Sequence, residues 1–570
     1  MRNPFARATL GVLAGIALTA CSQEAEETYT GDPERMSTLV QLIPAETPYL
    51  AANLEPMPAD VTDRFWSAME PFLEIGQEEL TNTVARLEQR TDLDAGERVI
   101  VSMLQELDGK LSRDGLEALG LAAEHFAIYG DGALPVLRMG ISDRAALEAA
   151  IDRVQVSAGA NAAPQEEAGR TWWRIADGTE PDDPIGIVGI LDDHVVFGLA
   201  PNGEEDAVRQ RLLGLTPPEA HALSRIQTAN LSYELLPYGT ALIDPVALFD
   251  AVVDLGERLG KPAMLDLSDA CRADYRRLAG AVPEIVSGYT ALDAREIEQR
   301  TVVALSSDLI PGVQGIAAAM RGLLQEDQGA MYAAFGVDVM RFRSFAQERV
   351  AALRAEPLQC EKFAEQMAML DEAELQLNNP LPPFVGNLRG VRMVLEDIEV
   401  GPGGTPIGGQ GLFAVMIDNP QLVVGMGQAF VPEIAEMGLV PDGEPRQVPE
   451  SLLANSGLAD VHAAMMTHGI AFSVGAGMEA ELTEFLDAPL PPKGTAPLFA
   501  VSYDVKAMAQ LQQRGMDAAT SAYSKPATNA QLEQRLDAAA AHYYDLFERV
   551  RVTGEVTDRG IEILSSTSLN

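Results

Sequence analysis

A short recurring unit constrains the fold of this 570-residue chain more than any other feature of its sequence. Each copy is a short apolar strand that ends in an aspartate and precedes an amphipathic helix. The aspartates of these units are Asp143, Asp244, Asp338, Asp418 and Asp504. An aspartate before a helix accepts a hydrogen bond from a free N–H of the first turn. We therefore predict that these aspartates are helix caps and not catalytic carboxylates.

Two longer patterns also occur twice. A strand, a turn, a second strand and a helix follow one another in residues 185–213, and the same plan returns in residues 461–486. A helix followed by a hairpin ends in Leu-Ser-Ser at Leu305, and again at Leu564. Repetition of several units in the same order indicates an internal duplication.

The duplication predicts two halves, residues 37–325 and residues 326–570. Hairpins need no crossover connection, and the helices carry an apolar stripe that must be buried. We therefore predict an α+β fold with two pseudo-repeated halves, each a mostly antiparallel sheet with helices packed on one face. We also expect the halves to pack about a pseudo-twofold axis with a groove between them.

The first residues of the chain have the features of a secretory signal. Arg2 and Arg7 give a basic start, and residues 8–20 form an apolar run that is too short for a membrane-spanning helix of about 20 residues. The run ends in Leu-Thr-Ala-Cys at residues 18–21, which resembles the lipobox of bacterial lipoproteins. The alternative is an ordinary signal peptide in which Cys21 has no role.

The resemblance implies that residues 1–20 are removed and that Cys21 becomes a lipidated N-terminus. Several acyl chains on one cysteine anchor a protein stably, so membrane lipid is the first expected partner. Ser22 stands where lipoproteins of enterobacterial type carry Asp for inner-membrane retention. The expected location is therefore extracytoplasmic, at the outer membrane and facing the periplasm. Residues 21–36 combine the lipidated cysteine with a polar, acidic stretch that predicts a flexible tether.

Composition narrows the classes of partner. The formal net charge of −43 argues against binding to nucleic acid and against binding to anionic lipid by charge.

Beyond Cys21, two cysteines remain, Cys271 and Cys360. An even number in an oxidising compartment predicts a disulfide, although two buried free thiols are the alternative. Neither has a CxxC partner or a nearby histidine, so we predict no redox or metal role.

Local catalytic motifs do not occur in the sequence. HExxH, GxSxG, Ser-x-x-Lys and DxDxDG are missing, and the glycine-rich residues 401–411 join two strands instead of opening a helix. His194 and His468 fall at equivalent hairpin turns, where we predict surface residues. We predict no enzyme, no cofactor and no metal.

Two apolar segments are candidates for contact with a partner or ligand. In a strand, Trp172 and Trp173 would point to opposite faces, so one indole is expected to face outward unless a loop covers it. Met426 and Phe430 lie in an apolar stretch, residues 421–440, that lines a hydrophobic groove or forms a buried core helix.

Three functions fit these observations. The first is an anchored, non-catalytic binding or scaffold protein that acts on an envelope protein partner. The second is a carrier or chaperone for a hydrophobic ligand, and the third is a hydrolase assembled from distant residues. Beyond the signal, the chain resembles bacterial extracytoplasmic proteins without an assigned function, and this resemblance carries no functional residue.

Overall fold

The computed structural model describes residues 38–570 except 91–92, 94, 160–162, 177–184, 260–266, 294, 326–327, 401–405, 454–457 and 523–543. The predicted signal peptide, Cys21 and the tether lie outside the described residues. The described chain divides into two compact units. The first contains residues 38–269 and Tyr275–Thr301, and the second contains Ala270–Asp274, residues 302–522 and Tyr544–Asn570.

The first unit is built on an antiparallel sheet. Its strands are β1 (Tyr49–Ala52), β2 (Leu121–Asp131), β3 (Leu134–Ile141), β4 (Gln165–Glu167), β5 (Arg170–Ala176), β6 (Ile185–Ile190), β7 (His194–Ala200), β8 (Thr240–Ile243), β9 (Ile285–Leu292) and β10 (Glu296–Ala304), within which the chain passes to the second unit. Their order across the sheet is β4-β5-β6-β7-β3-β2-β1-β8-β9-β10. Neighbouring strands from β4 to β9 are antiparallel.

Helices cover both faces of this sheet. The helices of this part of the chain are α1 (Ala59–Leu87), α2 (Ala95–Leu107), α3 (Arg113–Ala118), α4 (Arg144–Ala158), α5 (Glu205–Leu212), α6 (Leu223–Tyr233), α7 (Pro245–Arg258) and α8 (Asp269–Ala279), with a 3-10 helix at Thr38–Leu42. Within α8, residues Ala270–Asp274 belong to the second unit. Ile187 of β6 packs in one core with Leu212 of α5, whereas its neighbour Val188 packs in another with Ile151 of α4. The prediction of helices on one face is therefore wrong, because β6 is apolar on both sides and needs cover on both.

The second unit also contains a run of antiparallel strands. Its strands are β11 (Met331–Gly336), β12 (Leu388–Val400), β13 (Pro406–Ile417), β14 (Arg446–Gln447), β15 (Val461–Met466), β16 (Gly469–Val474), β17 (Pro497–Asp504), β18 (Phe547–Val556) and β19 (Gly560–Leu569). Their order is β14-β15-β16-β13-β12-β11-β17-β18-β19. All of these neighbours pair antiparallel.

The helices of the second unit cover each face of its sheet over part of its width. They are α9 (Ile310–Ile316), α10 (Val339–Ala355), α11 (Ala364–Ala368), α12 (Leu370–Asn378), α13 (Pro420–Phe430), α14 (Glu433–Glu436), α15 (Glu450–Leu453), α16 (Leu482–Leu486) and α17 (Val505–Ala522), with 3-10 turns at Glu361–Phe363, Val385–Asn387 and Met478–Glu481. On one face, Phe485 of α16 packs with Tyr332 and Leu412. On the other, Val424 of α13 packs with Ile470 of β16. In the part of the chain that the structure describes, no helix combines the length and apolarity that crossing a bilayer requires.

Four of the five aspartates form the predicted caps. Asp143, Asp244, Asp338 and Asp504 each accept a hydrogen bond from an N–H in the first turn of the helix that follows. The prediction for Asp418 is wrong. Pro420 is the first residue of α13, so Asn419 takes the cap position and accepts from the N–H of Leu422. Asp418 instead accepts a hydrogen bond from Nε of Arg389 at 2.9 Å.

The predicted disulfide joins Cys271 and Cys360 in the second unit. Both cysteines are buried, and their sulfurs are bonded to each other, so the alternative of two buried free thiols does not hold. The carboxylate of Asp274 lies beside the bridge and accepts a hydrogen bond from the main-chain N–H of Cys360 at 2.7 Å. The bridge is thus supported by a side chain one helical turn from Cys271.

Candidate functional site

The central strands of the second unit present an apolar surface that we call the open face. Successive side chains of a strand point to opposite sides, so Tyr332 and Ala334 of β11 enter the core while their neighbours point away from it. The same alternation holds in β12, β13 and β17. The open face consists of Met331, Ala333 and Phe335 of β11, Val391, Met393 and Leu395 of β12, Phe413 and Val415 of β13, and Phe499, Val501 and Tyr503 of β17.

Strand pairing aligns these side chains in rows across the sheet. Phe335 lies opposite Phe499 on β17 and opposite Val391 on β12. In the next row, Met393 lies opposite Phe413 of β13. The rings of Phe335 and Phe499 have centroids 6.3 Å apart. The register therefore gathers aromatic and branched side chains from segments far apart in the sequence.

The open face is only partly covered. The side chain of Phe335 is 46 % exposed and that of Phe413 is 42 % exposed. The open face contains no charged residue, and its side chains offer one polar group, the hydroxyl of Tyr503. Each of its four strands has a paired strand on both sides, so the backbone groups are engaged in the sheet. Contact with this surface therefore favours an apolar molecule.

A buried cluster continues the open face to one side. Phe413 lies opposite Phe472 of β16, and Val415 lies opposite Ile470. Ile470 and Phe472 pack with Val424 of α13. Helix α13 therefore covers this face as far as β16, and α17 lies against β12 and β17, so the open face is accessible only in part.

The structure places the predicted contacts of α13 next to this cover. Met426 is half-buried, and Phe430 at the end of the helix is 82 % exposed. Val424 is the residue of this helix that packs on the sheet. Met426 and Phe430 therefore remain candidates for contact with a partner. The helix itself is held on the sheet by the packing of Val424.

The expectation of an outward-facing indole on β5 is wrong. Trp172 is 4 % exposed and Trp173 is 1 % exposed. The guanidinium of Arg209 in α5 lies 4.6 Å from the ring centroid of Trp172. Trp173 packs with Leu147 of α4 on the other face. Both sides of β5 are covered, so neither indole forms a surface contact.

A polar cluster is buried in the first unit around Arg138. Its Nη1 lies 2.8 Å from Nε2 of His194, and its Nη2 donates to the carbonyl oxygen of Leu212 at 2.9 Å. Nδ1 of His194 lies 2.7 Å from Oδ1 of Asp193, and Oδ2 of the same carboxylate accepts a hydrogen bond from Thr38. The prediction that His194 is a surface turn residue is wrong, because Arg138 draws the ring into the core.

Burial and the positive charge of Arg138 determine the protonation state of His194 in this cluster. Burial lowers the pKa of His194 below its ordinary value of 6.5, and the neighbouring Arg138 acts in the same direction. The hydrogen bond from His194 lowers the pKa of Asp193 from 3.8 to about 2. The histidine is therefore neutral and the carboxylate charged at neutral pH. The buried side chains of Arg138 and His194 have no solvent access, so we assign the cluster a structural role.

The second unit has a comparable buried cation, Arg392. Its Nη1 donates to the carbonyl oxygen of Phe485 at 2.9 Å, and its Nη2 donates to Oε1 of Gln325 at 3.1 Å. The guanidinium lies 4.0 Å from the ring centroid of Phe485. Burial lowers the pKa of Arg392. Phe485 belongs to the last turn of α16, where free carbonyl groups attract a cation. We assign this arrangement a structural role as well, because it joins β12 to the end of α16.

His468 has a similar partner in the same unit. Its Nε2 lies 2.9 Å from the carbonyl oxygen of Leu486, at the end of α16. The ring therefore helps to cap the end of this helix.

Two further groups of polar side chains lie close together in the described part of the chain. A surface cavity of about 380 Å³ beside α6 is lined by hydroxyl groups and by Arg225 and Glu284. Arg225 already donates to Glu284 at 3.1 Å and to the carbonyl oxygen of Thr47 at 2.8 Å, so this cation is engaged. Cys271, Cys360 and Glu361 lie close enough together to suggest a metal site. The two sulfurs form the disulfide, however, and a metal binds thiolates.

Comparisons with known proteins add no assignment. A scan against protein-family models finds no match, and neither the curated proteins nor the solved structures contain a match.

Proposed function

We propose that this chain is a lipid-anchored extracytoplasmic lipoprotein whose body acts as a non-catalytic binding protein in the cell envelope. The observation that carries this proposal is the open face, which exposes Phe335 and Phe413 on a paired sheet and consists of residues without charge. Contiguous exposed apolar surface on a folded protein marks a binding site. Strands paired on both sides hold this surface rigidly, as a binding site requires.

Two features of the chain, its N-terminal signal pattern and its disulfide, support the proposed location. The residues before Cys21 have the pattern of a lipoprotein signal, and Ser22 favours the outer membrane. The disulfide between Cys271 and Cys360 supports an oxidising compartment, because disulfides persist there and are rare in the cytosol. A chain as acidic as this one, with a formal net charge of −43 over its full length, would be held near the bilayer by its acyl chains and not by charge.

We infer further that the two units arose by duplication. Taken in chain order, β1, β2, β3, β5, β6, β7, β8, β9 and β10 occupy the same relative places in their sheet as β11 to β19 in theirs. Among the strands that the structure describes, β4 is the one without a counterpart. The helices that follow β3, β7 and β8 also have counterparts after β13, β16 and β17. Agreement of strand order over a complete sheet supports the repeats found in the sequence.

A site-specific crosslink tests the binding function in intact membranes. A photoreactive amino acid placed at Phe413 should give a discrete crosslinked product, because this side chain is exposed within the open face. The matched control is Leu375 of α12, which is also apolar and exposed in the second unit. The same products at both positions, or none at either, would contradict the proposal.

The open face also favours a second function, a carrier or chaperone for a hydrophobic ligand. Its aromatic and methionine lining is typical of sites that accept apolar molecules. The mass of the Phe413 crosslink separates the two functions. A protein adduct supports a scaffold role, and a small organic adduct supports a carrier.

A further inference from the structure

We propose that the surface cavity beside α6 in the first unit binds a neutral sugar ring, either as a free saccharide or as part of a glycan. The cavity belongs to the first unit, whereas the open face belongs to the second. The inference therefore goes beyond the proposed function and does not depend on it.

Hydroxyl groups form one wall of this cavity. Ser224, Thr228 and Ser232 follow one another at intervals of one helical turn, so they lie in a row on one exposed side of α6. The hydroxyl of Thr228 donates to the carbonyl oxygen of Ser224 at 2.7 Å, and its oxygen keeps a lone pair that accepts from a ligand. Because a hydroxyl both donates and accepts, this wall matches a ligand whose own groups do the same.

The charged side chains that line the cavity compensate each other. Arg225 donates to Oε1 of Glu284 at 3.1 Å, and also to the carbonyl oxygens of Thr47 and Ala45 at 2.8 Å and 3.3 Å. These bonds hold the guanidinium in place beside its counter-charge. A charged ligand would lose part of its hydration here without meeting an unpaired charge of opposite sign. The cavity therefore favours a neutral ligand.

The size of the cavity and its remaining surface fit a small ring. Its volume of about 380 Å³ lies at the lower end of the range of about 300–1,000 Å³ that is typical of small-molecule sites. Ala229 is buried and offers only a methyl group, and Tyr233 adds an aromatic ring. A sugar carries hydroxyls around its edge and C–H groups on its faces, so it matches both kinds of surface. An aliphatic chain would cover the hydroxyl wall without replacing its hydrogen bonds to water.

Saturation-transfer NMR with the full chain, purified in a detergent without a sugar headgroup, tests the inference. The probes are three neutral disaccharides, maltose, cellobiose and N,N′-diacetylchitobiose, and a titration gives the Kd of each that binds. We expect saturation to reach the ring protons of at least one of them. Glucuronic acid and glucosamine are the charged comparisons, and they should show weaker transfer than the disaccharide that binds.

Two variants locate the site. Thr228→Val removes a hydroxyl and keeps the branched shape, so it should raise the Kd roughly fivefold, which corresponds to the loss of one hydrogen bond. Ser344→Ala is the matched control, because Ser344 of α10 is also exposed and also donates to the carbonyl oxygen one turn earlier, that of Met340, at 3.0 Å. It should leave the Kd unchanged. Thr228→Trp fills the cavity from an exposed position and should abolish binding, and urea unfolding checks the fold of each variant.

The outcomes separate this inference from the proposed function. The sugar site is refuted if none of the disaccharides receives saturation, or if Thr228→Val and Ser344→Ala have equal effects. It is also refuted if a charged sugar binds more tightly than every neutral one. A discrete crosslink at Phe413 without sugar binding would leave the binding function standing and remove the sugar site alone. Where a disaccharide does bind, co-sedimentation of the chain with insoluble wall glycan identifies a polymer as the source, and its failure identifies a free saccharide.

Discussion

The guanidinium of Arg138 donates a hydrogen bond to Nε2 of His194 at 2.8 Å inside the first unit. Arginine has no acceptor, so the histidine must accept at Nε2 and carry its proton on Nδ1, where it donates to Asp193. The pair fixes one tautomer of a buried ring. It also links β3, the turn before β7, and the end of α5 through the carbonyl oxygen of Leu212.

This relationship predicts loss of stability in mild acid. The pKa of His194 is lowered in the folded chain, so the unfolded chain binds the proton first as the pH falls. Stability is complete above the unfolded pKa of about 6.5 and decreases from there toward the lower folded pKa. Arg138 and Arg170 face the ring and oppose protonation, while Asp193 favours it. Urea unfolding between pH 8 and pH 5 measures the effect.

His194→Gln is the control for this prediction. Glutamine keeps an acceptor for Arg138 but does not titrate, so its urea midpoint should vary less over this range. An equal dependence in both proteins would show that other groups are responsible.

Asp193 contributes to stability over a different pH range. Its pKa is lowered from 3.8 to about 2, so its contribution to the free energy of unfolding is lost only as the pH falls through those values.

Gly322 is predicted to be intolerant of a side chain. It has φ +73°, and an added Cβ would collide with Nη1 of Arg392. We expect Gly322→Ala to lower the free energy of unfolding by about 3 kcal/mol, from backbone strain and overpacking together. Gly477→Ala is the matched control, since Gly477 has φ +89° with open space around it. It should cost about 1 kcal/mol. Equal losses in the two variants, measured by urea unfolding, would refute the steric role of Arg392.

The disulfide is predicted to contribute substantially to stability. Cys271 and Cys360 are 89 residues apart, and closing a loop of that length is worth about 4 kcal/mol in the chain-entropy model. Reductant should lower the urea midpoint of the natural chain. The double variant Cys271→Ser, Cys360→Ser should start at the lower midpoint and not respond to reductant. A natural chain that is insensitive to reductant in the unfolding transition would contradict this expectation.

Membrane attachment is predicted to depend on Cys21. Cys21→Ser removes the thiol that accepts diacylglycerol, so the chain should keep its signal residues and lose the mature, lipid-modified form. Metabolic labelling with a clickable fatty acid, followed by fractionation, measures this directly. Ser22→Asp is the companion variant and should move the chain from the outer to the inner membrane in a host of enterobacterial type. Normal processing and acylation of Cys21→Ser would disprove the lipoprotein assignment.

Features that depend on neighbouring residues could be predicted from the sequence. The caps at Asp143 and Asp244 follow from the first turn of the next helix, and hairpins follow from alternating strands and their turns. Even here one position was missed. The sequence unit places Asp418 where the other aspartates stand, but Pro420 begins the helix and gives the cap to Asn419.

Features that depend on distant segments could not be predicted. Arg138 and His194 are 56 residues apart, and nothing local indicates that they meet. Arg209 of α5 covers the ring of Trp172, whereas residues of α4 cover Trp173. The sequence contains part of the pattern that would predict the open face. Strand β11 reads Met-Tyr-Ala-Ala-Phe, so the side chains on both of its faces are apolar. That pattern shows that both sides of the strand are apolar, but not that helices cover only one of them.

Two very short strands limit how this protein can associate. Among the described strands, β4 and β14 stand at the ends of their sheets, and each pairs with a single neighbour. Their sequences are Gln-Glu-Glu and Arg-Gln, so neither offers a long or apolar edge to another chain. A long apolar edge would expose unpaired backbone groups to a neighbouring copy and invite sheet-to-sheet association into fibres. The brevity and polarity of β4 and β14 therefore disfavour the addition of a strand from another chain at these two edges.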